Sequence, residues 1–141
     1  MSKQQTPFDG QISYALAAAH RLVNLSLTEQ LKAHGVQLEA WRIMECLGGD
    51  TRLTMGELAK LVLINPPALS KLVDRMVANG LVHRQMAQKD QRQVNLLLTD
   101  FGRKKMMSIR DDVKSHDQSL VEKLDIKGKQ QLFSLLGQLT E

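Results

Sequence analysis

The sequence predicts a mainly α-helical domain that carries one small β-hairpin, and three observations support this fold class. Apolar residues recur at spacings of three and four through most of the 141 residues, as they do in helices with one buried face. One short region after Gly80 alternates at a period of two, which is typical of half-buried strands. A composition of 43% hydrophobic and 24% charged residues is that of a globular protein, and the length suits one domain.

Two helices, each ended by glycine at its C-terminus, are predicted in the first third of the chain. The first runs from Gly10 to His34 and ends at Gly35, with a stripe that we expect to be buried, formed by Ile12, Leu16, Ala19, Val23 and Leu27. The second covers Leu38–Leu47 and ends at a Gly-Gly pair, with inward positions at Trp41, Met44 and Leu47.

Two further helices have start signals of their own. Thr54 and Glu57 fit the capping-box pattern, so a short helix should begin there and run to about Leu63. The Asn-Pro-Pro run at 65–67 predicts the next start, because Asn is a favoured N-cap and Pro suits the first helical position. This helix should end at Gly80. Two short helices joined by a tight connection predict a helix-turn-helix.

A hairpin is predicted directly after the helix-turn-helix, and together they make a winged helix. Leu81–Ala87 and Gln93–Thr99 have strand character, and five polar residues at 88–92 separate them. Thr99 should then start a long helix and Asp125 a last one. The long helix has its inward stripe at Met106, Ile109, Val113, His116, Leu120 and Leu124. The last helix has its apolar face at Leu132, Phe133, Leu135, Leu136 and Leu139.

The terminal helices are predicted to dimerise. A winged helix over about 38–102 buries its own apolar faces, whereas the helices at about 10–35 and 103–141 would leave theirs exposed. A symmetric homodimer is the simplest way to cover such faces. We therefore expect one domain over 1–141, in which dimerisation helices flank the winged helix-turn-helix.

The charge distribution favours a polyanionic partner. Arg52–Arg110 contains eleven basic and four acidic residues, a net charge of +7, whereas the rest of the chain has a net charge of −3. Nucleic acid is the commonest partner of a basic segment within a folded region. A solvated surface with an uneven distribution of lysines is the alternative.

Several functional classes do not fit the sequence. No apolar run is long enough to span a membrane, and the first residues lack a signal peptide, so we expect a cytoplasmic protein without a membrane partner. A single cysteine, Cys46, excludes an intramolecular disulfide and a multi-cysteine zinc site. The four histidines lack metal-ligand spacing, and no nucleophile elbow or glycine-rich phosphate loop occurs. We therefore expect no catalytic residues, metal or cofactor.

The outward face of the helix after the Asn-Pro-Pro run suits DNA recognition. If its apolar residues face the core, a 100° step places Lys71 and Asp74 outward and Ser70 and Arg75 at the edges. Lys71 can donate to guanine O6 and N7, and Ser70 can bond a base or a phosphate. Arg75 is placed for a phosphate or for pairing with Asp74. The same pattern also fits an ordinary amphipathic helix with a polar outer face.

The hairpin loop has the composition of a DNA-binding wing. Arg92 suits insertion into a narrow minor groove, where the negative potential is concentrated. Asp90 could orient its guanidinium, and Lys89 could add a phosphate contact. The alternative is a solvent-exposed ion pair without function.

These segments together resemble the MarR family of bacterial transcriptional regulators. The resemblance is carried by Leu58-Ala59, by the run Ser70–Met76, by Gly80–Arg84, and by Asp90-Gln91-Arg92 followed by the Leu-Thr-Asp-Phe-Gly run at 98–102. It implies a homodimer with interlocked terminal helices that reads a palindromic, inverted-repeat operator in double-stranded DNA.

The resemblance also implies roles for single residues. It implies base reading by Ser70 and Lys71, wing contacts by Asp90 and Arg92, and support of the wing by Arg84. Prolines 66 and 67 stand where the family more usually has small polar residues.

The resemblance further implies a repressor that a small effector, often an aromatic or phenolic acid, releases from DNA. Its binding residues would be His20, Arg21, Trp41 and Met44, although Trp41 and Met44 also suit a core and His20 a helix surface. One alternative is a redox sensor based on Cys46, whose pKa the neighbouring Glu45 should raise. Another is a winged helix that contacts only proteins.

Overall fold

The computed structural model describes residues 5–49, 53–85 and 96–141, and these residues form five helices and a two-stranded antiparallel sheet. In chain order the elements are α1 (Ile12–Ala33), α2 (Leu38–Leu47), α3 (Met55–Val62), α4 (Pro66–Ala78), β1 (Val82–Arg84), β2 (Leu96–Leu98) and α5 (Asp100–Leu139). The predicted fold class is confirmed. Within the described residues, no helix has both the length and the apolarity that a membrane span requires.

The helix α2 lies at the centre of the molecule and contacts α1, α3, α4, α5 and β2. Its residues Ile43 and Met44 have no exposed surface, and Trp41 is also buried, as the spacing predicts. Leu47 is only half-buried. Around α2 the core is completed by Leu58, Val62, Leu69, Val73, Met76 and Ile109. Each of these side chains stabilises the fold by roughly 1.5–3 kcal/mol relative to full exposure.

The two helices of the helix-turn-helix begin with the predicted caps. The Thr54 hydroxyl accepts from the Glu57 amide at 3.1 Å, and the Glu57 carboxylate accepts from the Thr54 amide at 3.3 Å. The Asn65 side chain accepts from the Ala68 amide at 2.9 Å. Between the two helices Leu63 has φ +64°, a left-handed conformation that ends α3 abruptly and turns the chain into α4.

The described parts of the two strands form the base of the wing. They pair in the register Val82↔Leu98 and Arg84↔Leu96. Val82, Leu96 and Leu98 face the core, whereas Leu97 faces outward. The sequence predicts strands over 81–87 and 93–99, and residues 86–95, with the hairpin loop, lie outside the described residues.

Thr99 and Gly102 join the wing to α4 and α5. The Thr99 hydroxyl caps α5 by accepting from the Gly102 amide at 2.9 Å, and it donates to the Gly80 carbonyl. The Thr99 amide donates to the Leu81 carbonyl at 3.1 Å. A Cβ atom on Gly102 would lie 2.1 Å from that same carbonyl oxygen, so only glycine fits at this position.

The last predicted helix start is confirmed at Asp125. The backbone of α5 leaves the helical conformation there, with φ +57° and ψ +175°, and the chain kinks. The Asp125 carboxylate accepts from the Gly128 amide at 2.7 Å and caps the second half of α5. In the first half of α5, Met106, Ile109 and His116 are buried against the body of the molecule.

The expectation of a buried stripe along α1 is wrong for the single chain. Ile12 is 63% exposed, and Leu16 and Val23 are about 40% exposed; only Leu31, in the last turn, is fully buried. The physical reason is that the N-terminal part of α1 reaches past the core, so the described elements cover only the end of its stripe. The second half of α5 is similar, since Phe133 and Leu135 are 65% and 59% exposed.

Gly102→Ala is expected to lower the free energy of unfolding by about 3 kcal/mol, because the new methyl group collides with backbone that cannot yield without breaking the Thr99 cap. The measurement is urea denaturation at fixed protein concentration.

The matched control is Gly137→Ala, at an exposed position of α5 where the added Cβ would have no neighbour within 4 Å. It should stabilise the protein by about 0.5 kcal/mol, since alanine favours the helix. Equal midpoints for the two variants would contradict the close approach at Gly102.

Candidate nucleic-acid interface

The helix α4 turns one face to the core and the opposite face to solvent. Burial of Leu69, Leu72, Val73 and Met76 fixes its rotation. As a result the four residues predicted for DNA recognition, Ser70, Lys71, Asp74 and Arg75, are all exposed. Their positions along the helix agree with the prediction, and their contact with DNA stays a prediction.

Asp74 pairs with Arg84. A guanidinium nitrogen of Arg84 lies 2.6 Å from the Asp74 carboxylate, although both side chains remain more than half exposed. The contact joins β1 to the middle of α4 and neutralises the carboxylate on the outward face of the helix. As an exposed pair it contributes less than about 1 kcal/mol to folding, so its electrostatic effect on the surface matters more than its effect on stability.

Of the two roles that the sequence leaves open for Arg75, the pairing with Asp74 is not formed in the described residues, where Asp74 pairs with Arg84. Consecutive residues on a helix point in directions 100° apart and do not face each other. Arg75 instead lines a small cleft beside the α1–α2 connection, together with Val36 and Gln37. The position of Arg84 in the strand that follows α4 is the sequence signal that could have identified the partner of Asp74.

The start of α4 is apolar and offers no unengaged amide among its first four residues. Pro66 and Pro67 have no N–H group. The next two amides, of Ala68 and Leu69, donate to the side chain and the carbonyl of Asn65. Pro66, Pro67 and Ala68 are exposed, so this end of the helix presents carbon atoms to its surroundings.

The predicted wing residues Lys89, Asp90 and Arg92 lie outside the described residues. Arg84, which the family resemblance implies as a support of the wing, lies on the described part, in β1. Through Asp74 it links the wing base to α4. The base of the wing and the outward face of α4 therefore belong to one continuous surface.

The predicted effector residues lie in two different environments. His20 and Arg21 are exposed on α1, in the part of that helix that reaches past the core. Trp41 is 7% exposed and Met44 fully buried, and both belong to the core. A role for these four residues in binding an effector stays a prediction.

Cys46 is half-buried in the last turn of α2. Burial raises the pKa of its thiol, and the charge of the Glu45 carboxylate raises that pKa further. Glu45 itself is held by Arg110 of α5 through two contacts at 2.7 and 3.2 Å. The described residues hold no group of three or more side chains suited to a metal ion.

Comparison with known proteins finds similarity to bacterial transcriptional regulators. A family model described as "MarR family" matches residues 34–93, which span α2 to the wing. The HTH-type transcriptional regulator TtmR of Methylorubrum extorquens is 27% identical over 95 residues, which is 67% of this chain. That stretch is 49% of TtmR, so the chain spans about half the length of this relative.

Solved structures extend the likeness to the terminal helices. The MarR family regulator SPO1453 from Silicibacter pomeroyi is 27% identical, with a TM-score of 0.81 over 97% of this chain and 100% of that one. NadR in complex with 4-hydroxyphenylacetate is 25% identical, with a TM-score of 0.75 over 100% and 97%. The repressor CouR bound to a 23-mer DNA duplex is 22% identical and shows the same fold, with a TM-score of 0.87 over 99% and 100%.

Cys46 is expected to react slowly with iodoacetamide at pH 7, because its raised pKa leaves little thiolate, which is the reactive form. The rate should rise steeply only above the pKa of an ordinary thiol, because the pKa of this thiol is raised. Mass spectrometry of the native protein, with the urea-unfolded protein as reference, measures it. A native rate at pH 7 above that of the unfolded chain would contradict this picture and support a redox role.

Proposed function

Because the chain belongs to the MarR family of winged helix-turn-helix transcriptional regulators, we propose that it binds a palindromic operator as a homodimer and that a small aromatic acid releases it. The observation that carries the proposal is the exposed face of α4, joined to the wing base by Arg84 and Asp74. Family membership also confirms the prediction that the chain is a regulator rather than an enzyme.

The charge and geometry of α4 support docking in the major groove. The recognition helix of a helix-turn-helix lies in that groove, with its N-terminal residues against base edges. Ser70 and Lys71 are exposed in the N-terminal half of α4 and can reach bases or phosphates. The carboxylate of Asp74 would repel the phosphates, but Arg84 neutralises it. On this proposal Lys89 and Arg92 of the loop contact the flanking DNA.

The exposed apolar faces support the homodimer. The N-terminal part of α1 exposes Ile12, Leu16 and Leu22, and the second half of α5 exposes Phe133 and Leu135. Both faces lie at the ends of the chain, outside the winged helix. Large apolar side chains exposed together on a helix mark an interface, and a second copy offers the same faces to cover them. We therefore assign helices 10–35 and 103–141 to dimerisation and 38–102 to the winged helix-turn-helix.

An aromatic carboxylate or phenolic compound is the proposed effector class. NadR was solved with 4-hydroxyphenylacetate, which has both a phenol and a carboxylate. On this chain, His20 and Arg21 are the predicted partners of the carboxylate. Trp41 is the only tryptophan, so its fluorescence provides a direct titration signal for candidate acids.

The proposal is tested by selecting bound duplexes from a random DNA library with the purified protein. We expect one inverted repeat whose half-sites lie about one helical turn (~34 Å) apart, with affinity that falls steeply as salt rises. An unenriched pool from protein refolded free of small molecules would contradict the proposal and favour a winged helix that contacts only proteins.

A charged substitution in the exposed apolar face of the second half of α5 tests the proposed homodimer. Phe133→Glu should give a monomer by sedimentation and lose the preference for two half-sites, because it places a carboxylate in the proposed interface. Phe101→Glu is the matched variant, since Phe101 is 55% exposed but lies at the start of α5, within the winged helix-turn-helix. It should remain dimeric.

Arg84→Ala is expected to weaken operator binding about tenfold, because it leaves the Asp74 carboxylate unpaired on the DNA-facing side of α4. The double variant Arg84→Ala/Asp74→Asn should recover most of that loss. The measurement is fluorescence anisotropy of a labelled operator at several salt concentrations. If the double variant binds no better than Arg84→Ala, Arg84 contacts DNA directly instead of neutralising Asp74.

A further inference from the structure

We propose that Pro67 is a specificity-determining residue that reads the C5-methyl group of a thymine in each half-site. The inference rests on the proposed function, because it requires α4 to enter the major groove. It goes beyond that function by assigning a base preference to a side chain without any hydrogen-bonding group.

The rotation of α4 places Pro67 at the outermost point of the helix. Successive residues are 100° apart, so Pro67 lies almost opposite the buried residues Leu69 and Met76. Lys71 follows four residues later on the same face. Pro67 is therefore the first side chain of the recognition face, at the end of the helix that approaches base edges most closely.

The backbone at the start of α4 has no free N–H group to donate to DNA. A helix start normally offers free amides to a phosphate. Here the two prolines have none, and the amides of Ala68 and Leu69 are taken by Asn65. The Asn65 side-chain oxygen is itself occupied by the cap. Apart from the side-chain nitrogen of Asn65, the surface at this end consists of the pyrrolidine ring of Pro67, with the carbon atoms of Pro66 and Ala68 beside it.

A thymine methyl is the complement of such a surface. All four bases present hydrogen-bonding groups in the major groove, but only thymine also presents a methyl group there, on C5. Placing a hydrogen-bonding edge against proline would desolvate it without compensation. Lys71 lies about 6 Å further along the helix, which corresponds to one or two base-pair steps. The thymine should therefore lie one or two pairs from a guanine that Lys71 contacts.

The experiment replaces each thymine of the selected operator in turn with deoxyuridine, which lacks only the methyl group. For the wild-type protein we expect affinity to fall about fourfold at one thymine position per half-site, and about fifteenfold when both half-sites are changed. The readout is anisotropy at constant salt, and the scan needs no protein variant.

Two variants then assign the effect to Pro67. Pro67→Ser restores an amide and removes the ring, so it should bind thymine and deoxyuridine operators equally at that position. Pro67→Ala keeps a residue that favours helix and should likewise lose most of the discrimination. Pro7→Ser makes the same change at an exposed proline outside the winged helix and should discriminate as the wild type does.

The outcomes separate the two proposals. If no duplex is enriched, the proposed function fails and this inference fails with it. If an operator is found but its half-sites lack thymine near the guanine, or every deoxyuridine substitution is silent, only the assignment to Pro67 is overturned. The same holds if Pro67→Ser and Pro67→Ala discriminate as strongly as the wild type.

Discussion

The close approach of Gly102 to the Leu81 carbonyl is the constraint on which the arrangement of this protein depends. Thr99, which lies between β2 and α5, is hydrogen-bonded to Gly80 and Leu81, which lie between α4 and β1. Because Gly102 has no side chain, α5 can pass against the backbone that leaves α4. The position of the wing and the direction of the long helix are therefore set by the same contact.

The contacts of Thr99 and Gly102 connect the proposed DNA-binding part of the molecule to the proposed dimerisation part. The recognition face of α4 lies on one side of these contacts, and the apolar second half of α5 lies on the other. The bonds of Thr99 to the backbone of 80, 81 and 102 leave little freedom between them. On the proposed function, the direction of α5 against the core would therefore set the spacing of the two recognition helices in the dimer.

The outward surface of α4 offers fewer free positive charges than the net charge of the surrounding segment suggests. The segment 52–110 has a net charge of +7, yet on α4 one carboxylate is neutralised by Arg84 and Arg75 turns towards the α1–α2 connection. The start of α4 contributes no unengaged backbone amide, because Pro66 and Pro67 have none and the amides of Ala68 and Leu69 are hydrogen-bonded to Asn65. On the proposed function, contact with DNA along α4 depends on a few side chains of different chemistry, namely an apolar ring, a hydroxyl and one ammonium group. Such a set favours discrimination between sequences over strength of attraction.

The helices, the strands and the residues at which they begin could be predicted from the sequence, because these depend on local chemistry. The Thr54 box, the Asn65 cap before two prolines, the Thr99 cap and the Asp125 cap all act within three residues, and each was predictable. The rotation of α4 also followed from its spacing, since one buried face fixes the opposite one. Contacts between residues distant along the chain could not be predicted in this way, because they depend on how the elements cross. Examples are the pairing of Asp74 with Arg84, the hydrogen bonds from Arg110 to Glu45 and the exposure of the α1 stripe. Periodicity shows which face of a helix is apolar, but whether another element reaches that face is decided only by packing.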